Sequence, residues 1–308
     1  MVNIQEEDIG QYSRIVRMIK SSFPIVGIVG LTHGDEIVGR KVLDRLQTEL
    51  PSQLQQGEVR LIYANLPAEE AGKPYIDVNL NRIFPGKENG KLEERIAYNL
   101  RPALASCSLV VDIHSTTLDY GAFVVTTVDP TQFETTAATR SLYDNSGLFP
   151  EGRHCFDMGA LGILTRNTGL VRHVQMDYTV ANGGSLIEFV NAHGKGYGLS
   201  IEAGQHLDPK SEETAMEVVL NMLKAQRVIA GEPKRREQEV YLGREFIPVP
   251  SPSFKPSEGL TNFGLLKAGT PYGTDGTQSY TLDKDSYVVL FSQRMRDGKV
   301  FLRTDKIS

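Results

Sequence analysis

Apolar runs and amphipathic stretches alternate along the first 230 residues of the chain. Residues 24–31 form a continuous apolar run, as expected for a strand that is covered on both faces. Residues 35–50 then carry apolar side chains at helical spacing, and Pro51 ends that pattern. The alternation predicts an α/β fold in which helices flank a mostly parallel or mixed sheet. Further strands are expected at 58–65, 108–114, 122–128 and 198–204, and further helices at 92–104, 185–194 and 211–230.

The pattern changes after Pro233. A short charged linker, 234–237, precedes a stretch in which proline, glycine, threonine and aromatic residues alternate with short apolar runs such as 287–291. No helical period is visible there, so we expect short β-strands. The sequence therefore predicts a larger α/β domain at 1–232 and a small β-rich domain at 233–308.

Composition excludes several classes of protein and partner. The net charge is −5 and charged residues make up 23% of the 308 residues, so no nucleic-acid partner is expected. No apolar stretch is long enough to cross a membrane, and the N-terminus lacks the basic region of a signal peptide. The two cysteines, Cys107 and Cys155, form no CxxC pair, which argues against a disulfide framework or a cysteine zinc site. We expect a cytoplasmic protein without membrane contacts, and a homo-oligomer is left open.

Two histidines and a glutamate follow the ends of predicted strands. His33 and Glu36 lie just after the first apolar run, and His114 follows the run at 109–113. Two imidazole nitrogens and one carboxylate oxygen form the ligand set of a catalytic zinc ion that keeps one position open for water. Proteins of the α/β class place their sites at such strand ends. The alternative is that these are solvated surface residues, but the pattern favours one zinc ion per chain.

Glu202 is the best candidate for a general base beside such a metal. In its strand, Leu199 and Ile201 point to one face, and Ser200 and Glu202 point to the other. A glutamate in an apolar strand is unfavourable unless it is paired or catalytic, so the alternative is a structural carboxylate in a salt bridge at the strand end. His206, four residues later, is either a rival ligand or a loop histidine, and we expect the latter.

The segment 77–86 is a second dense group of polar residues, and it contains Asn81 and Arg82. Arginine offers a planar fork that suits a carboxylate, and asparagine adds a neutral donor. Either these two residues recognise a substrate carboxylate or the segment is a turn with an exposed arginine. Asp112 either accepts the second ring N–H of His114 or caps the neighbouring loop. The remaining histidines are expected at the surface or in loops; they are His154, His173 and His193.

Four motifs resemble, in order and approximate spacing, those of the aspartoacylase/succinylglutamate desuccinylase family, a branch of the zinc carboxypeptidase-like hydrolases. They are GLTHGDEIVG, DVNLNRIF, VVDIHSTT and IEAG, and the similarity spans residues 24–230 with a looser one in the C-terminal region. The resemblance implies a carboxypeptidase-like α/β domain followed by a small β-domain that narrows the active-site entrance. It also implies that zinc is bound by His33, Glu36 and His114, that Glu202 is the general acid/base, that Asn81 and Arg82 hold a substrate carboxylate, and that Tyr287 contacts the substrate.

The chain departs from the family pattern at one position. Family members commonly carry an arginine within the second motif region, where it helps to polarise the scissile carbonyl, whereas this chain has Pro74 preceded by Lys73. Lys73 would replace that arginine as a point charge without its bidentate geometry. The acyl group and the amino acid are therefore left open. An arginine for a second substrate carboxylate has two candidates, Arg166 and Arg172, which the sequence does not separate.

The residues and the resemblance together predict a zinc-dependent amidohydrolase that removes the acyl group from an N-acyl amino acid or a related small carboxylate. Zinc would lower the pKa of water toward about 7 and polarise the amide carbonyl. Glu202 would take a proton from water and pass it to the departing amine. A zinc carboxypeptidase acting on peptides is the enzyme alternative. A non-catalytic metal- or ligand-binding protein is the alternative from a different class.

Overall fold

A computed structural model describes residues 2–128, 162, 164–177, 184–291, 295 and 298–307 of the chain. Within these residues, a 12-stranded sheet and a smaller 3-stranded sheet account for the strands. The expectations for His154 and Cys155 concern residues outside this described part. None of the helices in the described ranges combines the length and the apolar character needed to cross a membrane.

Strands and helices alternate through most of the described N-terminal part, as the sequence pattern predicts. In chain order the strands are β1 (Asn3–Ile9), β2 (Ser13–Ile19), β3 (Ile25–Gly30), β4 (Glu58–Tyr63), β5 (Leu109–Thr116), β6 (Phe123–Val128), β7 (Arg172–Asp177), β8 (Tyr197–Gln205), β9 (Glu239–Pro248), β10 (Lys255–Pro256), β11 (Leu265–Leu266), β12 (Pro271–Thr274), β13 (Ser279–Thr281), β14 (Ser286–Val289) and β15 (Lys299–Lys306). The helices are α1 (Ile37–Glu49), α2 (Leu66–Glu70), α3 (Leu92–Ala105), α4 (Leu186–His193) and α5 (Pro209–Ala225), and a 3₁₀ turn spans Leu80–Arg82.

The centre of the large sheet is parallel. Strands β4, β3, β5 and β8 lie side by side in parallel, and β6 joins β8 in the antiparallel sense. The order continues through β7, β9, β15, β14 and β11, with the last three pairs antiparallel. This mixed sheet confirms the predicted fold class. Because β3 and β5 are parallel neighbours, their carboxyl ends, which carry the candidate metal ligands, meet at one edge of the sheet.

Helices cover both faces of the central strands. On one face, α1 and α5 contribute buried side chains such as Val42, Leu46 and Val219 to the largest apolar cluster. On the other face, α3 and α4 contribute Leu100 and Val190 to a second cluster. Coverage on both sides explains why the central strands read as continuous apolar runs rather than as alternating ones.

The sequence pattern does not predict the hairpin of β1 and β2, which extends the large sheet at one edge. Strand β1 is polar and almost entirely exposed, so no apolar period marks it. The C-terminal region is rich in short strands, as expected. However, β9 pairs in parallel with β7 and so continues the large sheet. The domain boundary after residue 232 stays a prediction.

The expectation that His173 lies at the surface or in a loop is wrong. His173 lies on β7 with 3% of its surface exposed, and its Nε2 is 2.7 Å from Oγ1 of Thr126 on β6. Burial lowers the pKa of His173 to about 4. This histidine is therefore a neutral part of the sheet interior at neutral pH. His193, at the end of α4, is exposed as expected.

We expect His173 to make folding sensitive to acid. Between pH 6.5 and about 4 the unfolded chain binds a proton at this residue that the folded chain does not, so the free energy of unfolding falls as the pH falls. The contribution of this residue approaches about 1.4 kcal/mol per pH unit within that window. Denaturant unfolding at pH 7 and pH 5 should show a smaller loss of stability in His173→Gln than in the wild type. His193→Gln, at the exposed histidine, should keep the wild-type loss, and an unchanged loss in His173→Gln would contradict the assignment.

Candidate metal centre

The chain turns sharply between β3 and α1, and the turn carries two of the candidate ligands. Leu31 is buried and has a φ of 64°, a conformation that side-chain-bearing residues rarely adopt. A Cβ atom on Gly30 would lie 2.8 Å from the carbonyl carbon of Gly39. Helix α1 therefore lies so close to β3 that no side chain fits at position 30. The turn then places His33 and Glu36 just before the first residue of α1.

Glu36 lies between the two histidines. Its Oε1 is 2.8 Å from Nδ1 of His33, and its Oε2 is 2.9 Å from Nδ1 of His114 on β5. The backbone N–H of Ser115 also donates to Oε2 at 3.1 Å. One ligand atom from each of the three side chains lies within 4.8 Å of the others. The structure thus brings the three sequence-predicted ligands together as a cluster that can hold a metal ion.

The second nitrogen of each imidazole faces an oxygen acceptor. Nε2 of His114 is 2.8 Å from Oδ2 of Asp112, and the buried hydroxyl of Thr32 donates to the other oxygen of that carboxylate at 2.7 Å. Nε2 of His33 is 3.1 Å from Oδ1 of Asn79. An imidazole that donates its Nε2–H in this way presents the lone pair of Nδ1, which is the form that binds a metal. Of the two alternatives that the sequence leaves open for Asp112, the structure shows the contact with His114.

Sequence reasoning missed Thr32 and Asn79. Thr32 directly precedes His33, and Asn79 lies two residues before Asn81 in the polar segment. The sequence does contain a signal for Asn79, because an asparagine two residues before Asn81 can cap the turn that carries Asn81. Its contact with His33, 46 residues away, depends on tertiary structure.

The electrostatics of the cluster favour a cation. Burial by itself would lower the pKa of His114, but Asp112 and Glu36 raise it well above its usual value. Burial would likewise raise the pKa of Glu36, but His33 and His114 outweigh burial and lower it. The carboxylates of Asp112 and Glu36 thus hold positive charge on the buried His114 between them. A divalent ion in the cluster would meet the Glu36 carboxylate and the two imidazoles, with Asp112 on the opposite edge of the His114 ring.

Glu202 lies beside the cluster on the next strand. It is paired in register with His114 on parallel β5 and with Phe123 on antiparallel β6, so these side chains share one face of the sheet. Within the described residues Glu202 forms no salt bridge, and its buried Oε2 has no hydrogen-bond partner. Burial raises its pKa to about 7. These contacts do not match the alternative of a structural carboxylate in a salt bridge.

His206 lies in the turn after β8, as expected of a loop histidine. Its Nδ1 is 2.8 Å from the hydroxyl of Ser115, and its backbone N–H donates to the carbonyl of Thr116. It does not belong to the group of residues that can hold a metal ion within the described part of the chain.

The candidate substrate residues of the polar segment differ in position. The side-chain Nδ2 of Asn81 is 3.4 Å from Nε2 of His114, and its Oδ1 accepts the N–H of Leu186 at the start of α4. Arg82 is exposed, and its Nη1 donates to the carbonyl of Asn81 at 2.6 Å. Lys73 is also exposed, in the loop whose Pro74 carbonyl accepts the N–H that follows His33. The roles of Asn81, Arg82 and Lys73 stay predictions.

Tyr287 belongs to an aromatic cluster on the same side of the sheet as Glu202. Its ring lies 5.5 Å from the ring of Tyr241, Tyr241 contacts Phe263, and Phe263 contacts Phe123 at 5.2 Å. Because Phe123 is the register partner of Glu202, this cluster extends from β14 to the strand beside the candidate base. Its contact with a substrate stays a prediction.

The structure separates the two arginines that the sequence leaves equivalent. Arg172 is level with Phe123 in the register of the sheet, and its guanidinium lies 4.5 Å from the centre of the Phe263 ring. Arg166 lies outside the sheet, 3.8 Å from the exposed carboxylate of Glu237. Of the two, Arg172 therefore lies in the row of side chains that includes Glu202.

Comparisons with known proteins match the part of the chain that carries the candidate metal ligands. The model of the succinylglutamate desuccinylase/aspartoacylase catalytic domain matches residues 22–145, which contain His33, Glu36, Asn81, Arg82 and His114. Residues 22–145 are thus similar to the catalytic domain of the succinylglutamate desuccinylase/aspartoacylase family. This similarity confirms the resemblance that the four motifs indicate.

Curated members of the desuccinylase/aspartoacylase family resemble only part of the chain. An N-alpha-acetyl-L-2,4-diaminobutyric acid deacetylase from Halomonas elongata is 37% identical over 97 residues, which cover 30% of this chain and 28% of the relative. A probable aspartoacylase from Nostoc sp. is 34% identical over 112 residues, which cover 32% of this chain and 38% of the relative. The chain's match thus spans less than two fifths of the length of these relatives.

Solved structures of desuccinylase/aspartoacylase proteins share the fold over nearly the whole chain. A succinylglutamate desuccinylase/aspartoacylase from Rhodobacter sphaeroides gives a TM-score of 0.71 at 18% identity, covering 100% of this chain and 96% of that one. The product-bound ectoine utilization protein EutE from Ruegeria pomeroyi gives a TM-score of 0.67 at 18% identity, covering 96% and 88% of the two chains. At this identity the similarity concerns the fold alone.

Replacing Asp112 by asparagine is expected to weaken metal binding at the candidate site about 10- to 100-fold, because the partner of His114 then loses its negative charge. Thr32→Val removes only the donor to Asp112 and should shift the affinity in the same direction by less. Competition with a chelator measures both. Asp285→Asn changes an exposed carboxylate in the C-terminal region and should leave the affinity unchanged. Equal affinity in Asp112→Asn and the wild type would contradict the role of Asp112.

Proposed function

We propose that this chain is a zinc-dependent amidohydrolase that removes the acyl group from an N-acyl amino acid or a related small carboxylate. The observation that carries the proposal is the cluster of His33, Glu36 and His114 with Glu202 on the adjacent strand. It combines the ligand set of a catalytic zinc site with a carboxylate whose Oε2 has no hydrogen-bond partner among the described residues. The family, and a relative that is itself a deacetylase of an N-acetylated amino acid, support the same reaction class.

The residues of the cluster fit one zinc ion. His33 and His114 offer nitrogens whose rings are fixed through their opposite edges, and Glu36 offers a carboxylate oxygen. Nitrogen and oxygen donors of this kind suit zinc, and three protein ligands leave one position open. Zinc, when bound, polarises an amide carbonyl and makes water more acidic.

Glu202 is the proposed proton carrier. Its buried Oε2 has no hydrogen-bond partner among the described residues, so it is free to accept a proton from the attacking water. The same atom then donates that proton to the nitrogen of the departing amine. A carboxylate at this place needs no rearrangement before it acts, because its strand is fixed between β5 and β6.

Asn81 and Arg82 are proposed to orient the substrate through its carboxylate. Asn81 lies next to His114, and Arg82 follows it at the surface, where its guanidinium is accessible. Binding at this point fixes the amide bond relative to Glu202, which converts binding energy into orientation. Lys73 is proposed to supply a positive charge near His33 in place of the family arginine. Arg172 is proposed to receive a second carboxylate where the substrate has one.

A small substrate fits this site better than a peptide. Phe263, which belongs to the C-terminal region, contacts Phe123 on the strand next to Glu202. Tyr287 packs into the same aromatic cluster. The C-terminal region therefore reaches the edge of the proposed active site, where an extended peptide would need open space.

A substrate screen tests the proposed function. N-acetyl, N-succinyl and N-formyl amino acids, including Nα-acetyl-2,4-diaminobutyrate and N-acetylaspartate, should be incubated with purified protein of measured zinc content. We expect hydrolysis of at least one compound, near one equivalent of zinc, and loss of both zinc and activity in His114→Ala. Absence of hydrolysis across the panel by zinc-loaded protein would contradict the proposal.

Replacing Glu202 by glutamine should reduce turnover by about 10² or more while the zinc content stays near one equivalent. The reason is that glutamine keeps the size of the side chain but cannot accept the proton. Glu232→Gln, at an exposed position after α5, is the matched control and should keep wild-type turnover. Loss of zinc together with activity in Glu202→Gln would show that Glu202 is a ligand and not a proton carrier.

Arg82 should confer a preference for a charged substrate. We expect kcat/KM for the best N-acyl amino acid to exceed that of its methyl amide at least about tenfold, because a charge-assisted hydrogen bond is lost with the amide. Arg82→Ala should remove this preference by slowing only the carboxylate substrate. Arg166→Ala changes an arginine outside the row of site residues and should keep the preference. Equal kcat/KM for the two substrates in the wild type would assign Arg82 another role.

A further inference from the structure

The segment that precedes and includes the 3₁₀ turn has little regular structure of its own, yet it contacts both histidines of the cluster. Oδ1 of Asn79 is 3.1 Å from Nε2 of His33, and Nδ2 of Asn81 is 3.4 Å from Nε2 of His114. Ile76 and Asp77 at its start are exposed. Something outside the segment must therefore fix its backbone.

Glu93, on the first turn of α3, holds the start of this segment. Its side chain is fully buried, and its Oε1 accepts the N–H of Ile76 at 2.6 Å. Its Oε2 accepts the N–H groups of Asp77 at 3.0 Å and Val78 at 3.1 Å. The side-chain amide of Asn65, which caps α2, donates to Oε1 as well. One carboxylate thus receives three consecutive backbone donors, which is a stronger arrangement than neutral hydrogen bonds provide.

The contact is reciprocal. Oδ2 of Asp77 accepts the N–H of Leu92 at 3.0 Å, which is a backbone donor at the start of α3 without a partner inside the helix. Glu93 therefore fixes the segment to the helix, and Asp77 fixes the helix to the segment. The residue directly after Val78 is Asn79, whose side chain contacts His33.

We infer that Glu93 is a positioning residue that holds Asn79, Asn81 and Arg82 in place over the metal cluster. The inference rests on the proposed function, in which Asn81 and Arg82 bind the substrate. Glu93 has no contact with the cluster itself among the described residues, so it acts through the backbone of residues 76–78. It would set how well the substrate is bound rather than how fast the bound substrate reacts.

Glutamine in place of Glu93 tests this role. It keeps the size of the side chain but replaces one acceptor oxygen with an NH₂ group, which then faces a backbone N–H. We expect KM for the best N-acyl amino acid to rise about tenfold or more, with kcat within about threefold of the wild type and zinc near one equivalent. We also expect faster hydrogen exchange of the amides of Ile76, Asp77 and Val78.

Glu94→Gln is the matched control. Glu94 neighbours Glu93 on the same helix turn, but it accepts the N–H of Lys91 in a capping box and does not contact the segment. It should lower the thermal stability without changing KM or the exchange of residues 76–78. Equal effects of the two variants on KM, or an unchanged KM and exchange in Glu93→Gln, would overturn the inference.

A second variant and a measurement without substrate also test the inference. If Glu93→Gln does not fold, Asp77→Asn loosens the same junction from its exposed side and should raise KM in the same direction by less. An unchanged KM in that folded variant would count against the inference. If the wild type hydrolyses no compound in the screen, the proposed function fails, but the exchange measurement needs no substrate and still decides whether Glu93 holds the segment.

Discussion

The contact of one carboxylate with two imidazoles is the interaction on which the site depends. Glu36 lies between His33, three residues away, and His114, 78 residues away. These residues meet because β3 and β5 are parallel neighbours whose carboxyl ends open on the same edge of the sheet. A shift of either strand by one residue would turn its side chains to the opposite face and separate the ligands. The geometry of the cluster therefore depends on the register in which β3 and β5 are paired.

The turn after β3 shows how closely the backbone is adapted to this constraint. Gly30 and Gly39 touch backbone to backbone, so α1 begins close enough to the strand for Glu36 to reach both histidines. Leu31 accepts a left-handed conformation in the same turn. Such backbone conformations are unfavourable by about 1–3 kcal/mol and persist where the surroundings fix them, commonly at functional sites. Here the buried neighbours of Leu31 and the packing of α1 hold the backbone of Leu31 in this conformation.

The sequence predicts the central layer of the fold and most of the cluster because both depend on local patterns. Continuous apolar runs mark β3 and β5, and His33, Glu36 and His114 directly follow them. The hairpin of β1 and β2 could not be predicted this way, since β1 is polar on both faces. His173 was misplaced for a related reason. Its segment mixes polar residues such as Arg172 and Gln175 with valines, and its burial depends on the pairing of β7 with β6, a strand distant in sequence.

The partners of the ligands are the part of the site that the sequence reveals least. The contact of Asp112 with His114 was foreseeable because two residues of one strand share a face. The contact of Asn79 with His33 was not, because it joins a loop to a turn 46 residues away. The anchoring of that loop by Glu93 depends on helix α3, whose sequence shows only an acidic first turn.

The buried carboxylates Glu58, Glu93 and Glu202 differ in what surrounds them. Glu58 is bound by Arg17 and Arg60, and Glu93 receives only backbone and amide donors. Both are satisfied, as the cost of burying charge requires. Glu202 differs, because its buried Oε2 has no partner among the described residues although donors and cations lie on the neighbouring strand. An unsatisfied carboxyl oxygen is unfavourable for folding alone, and the proposed role of Glu202 as a proton carrier rests on this observation.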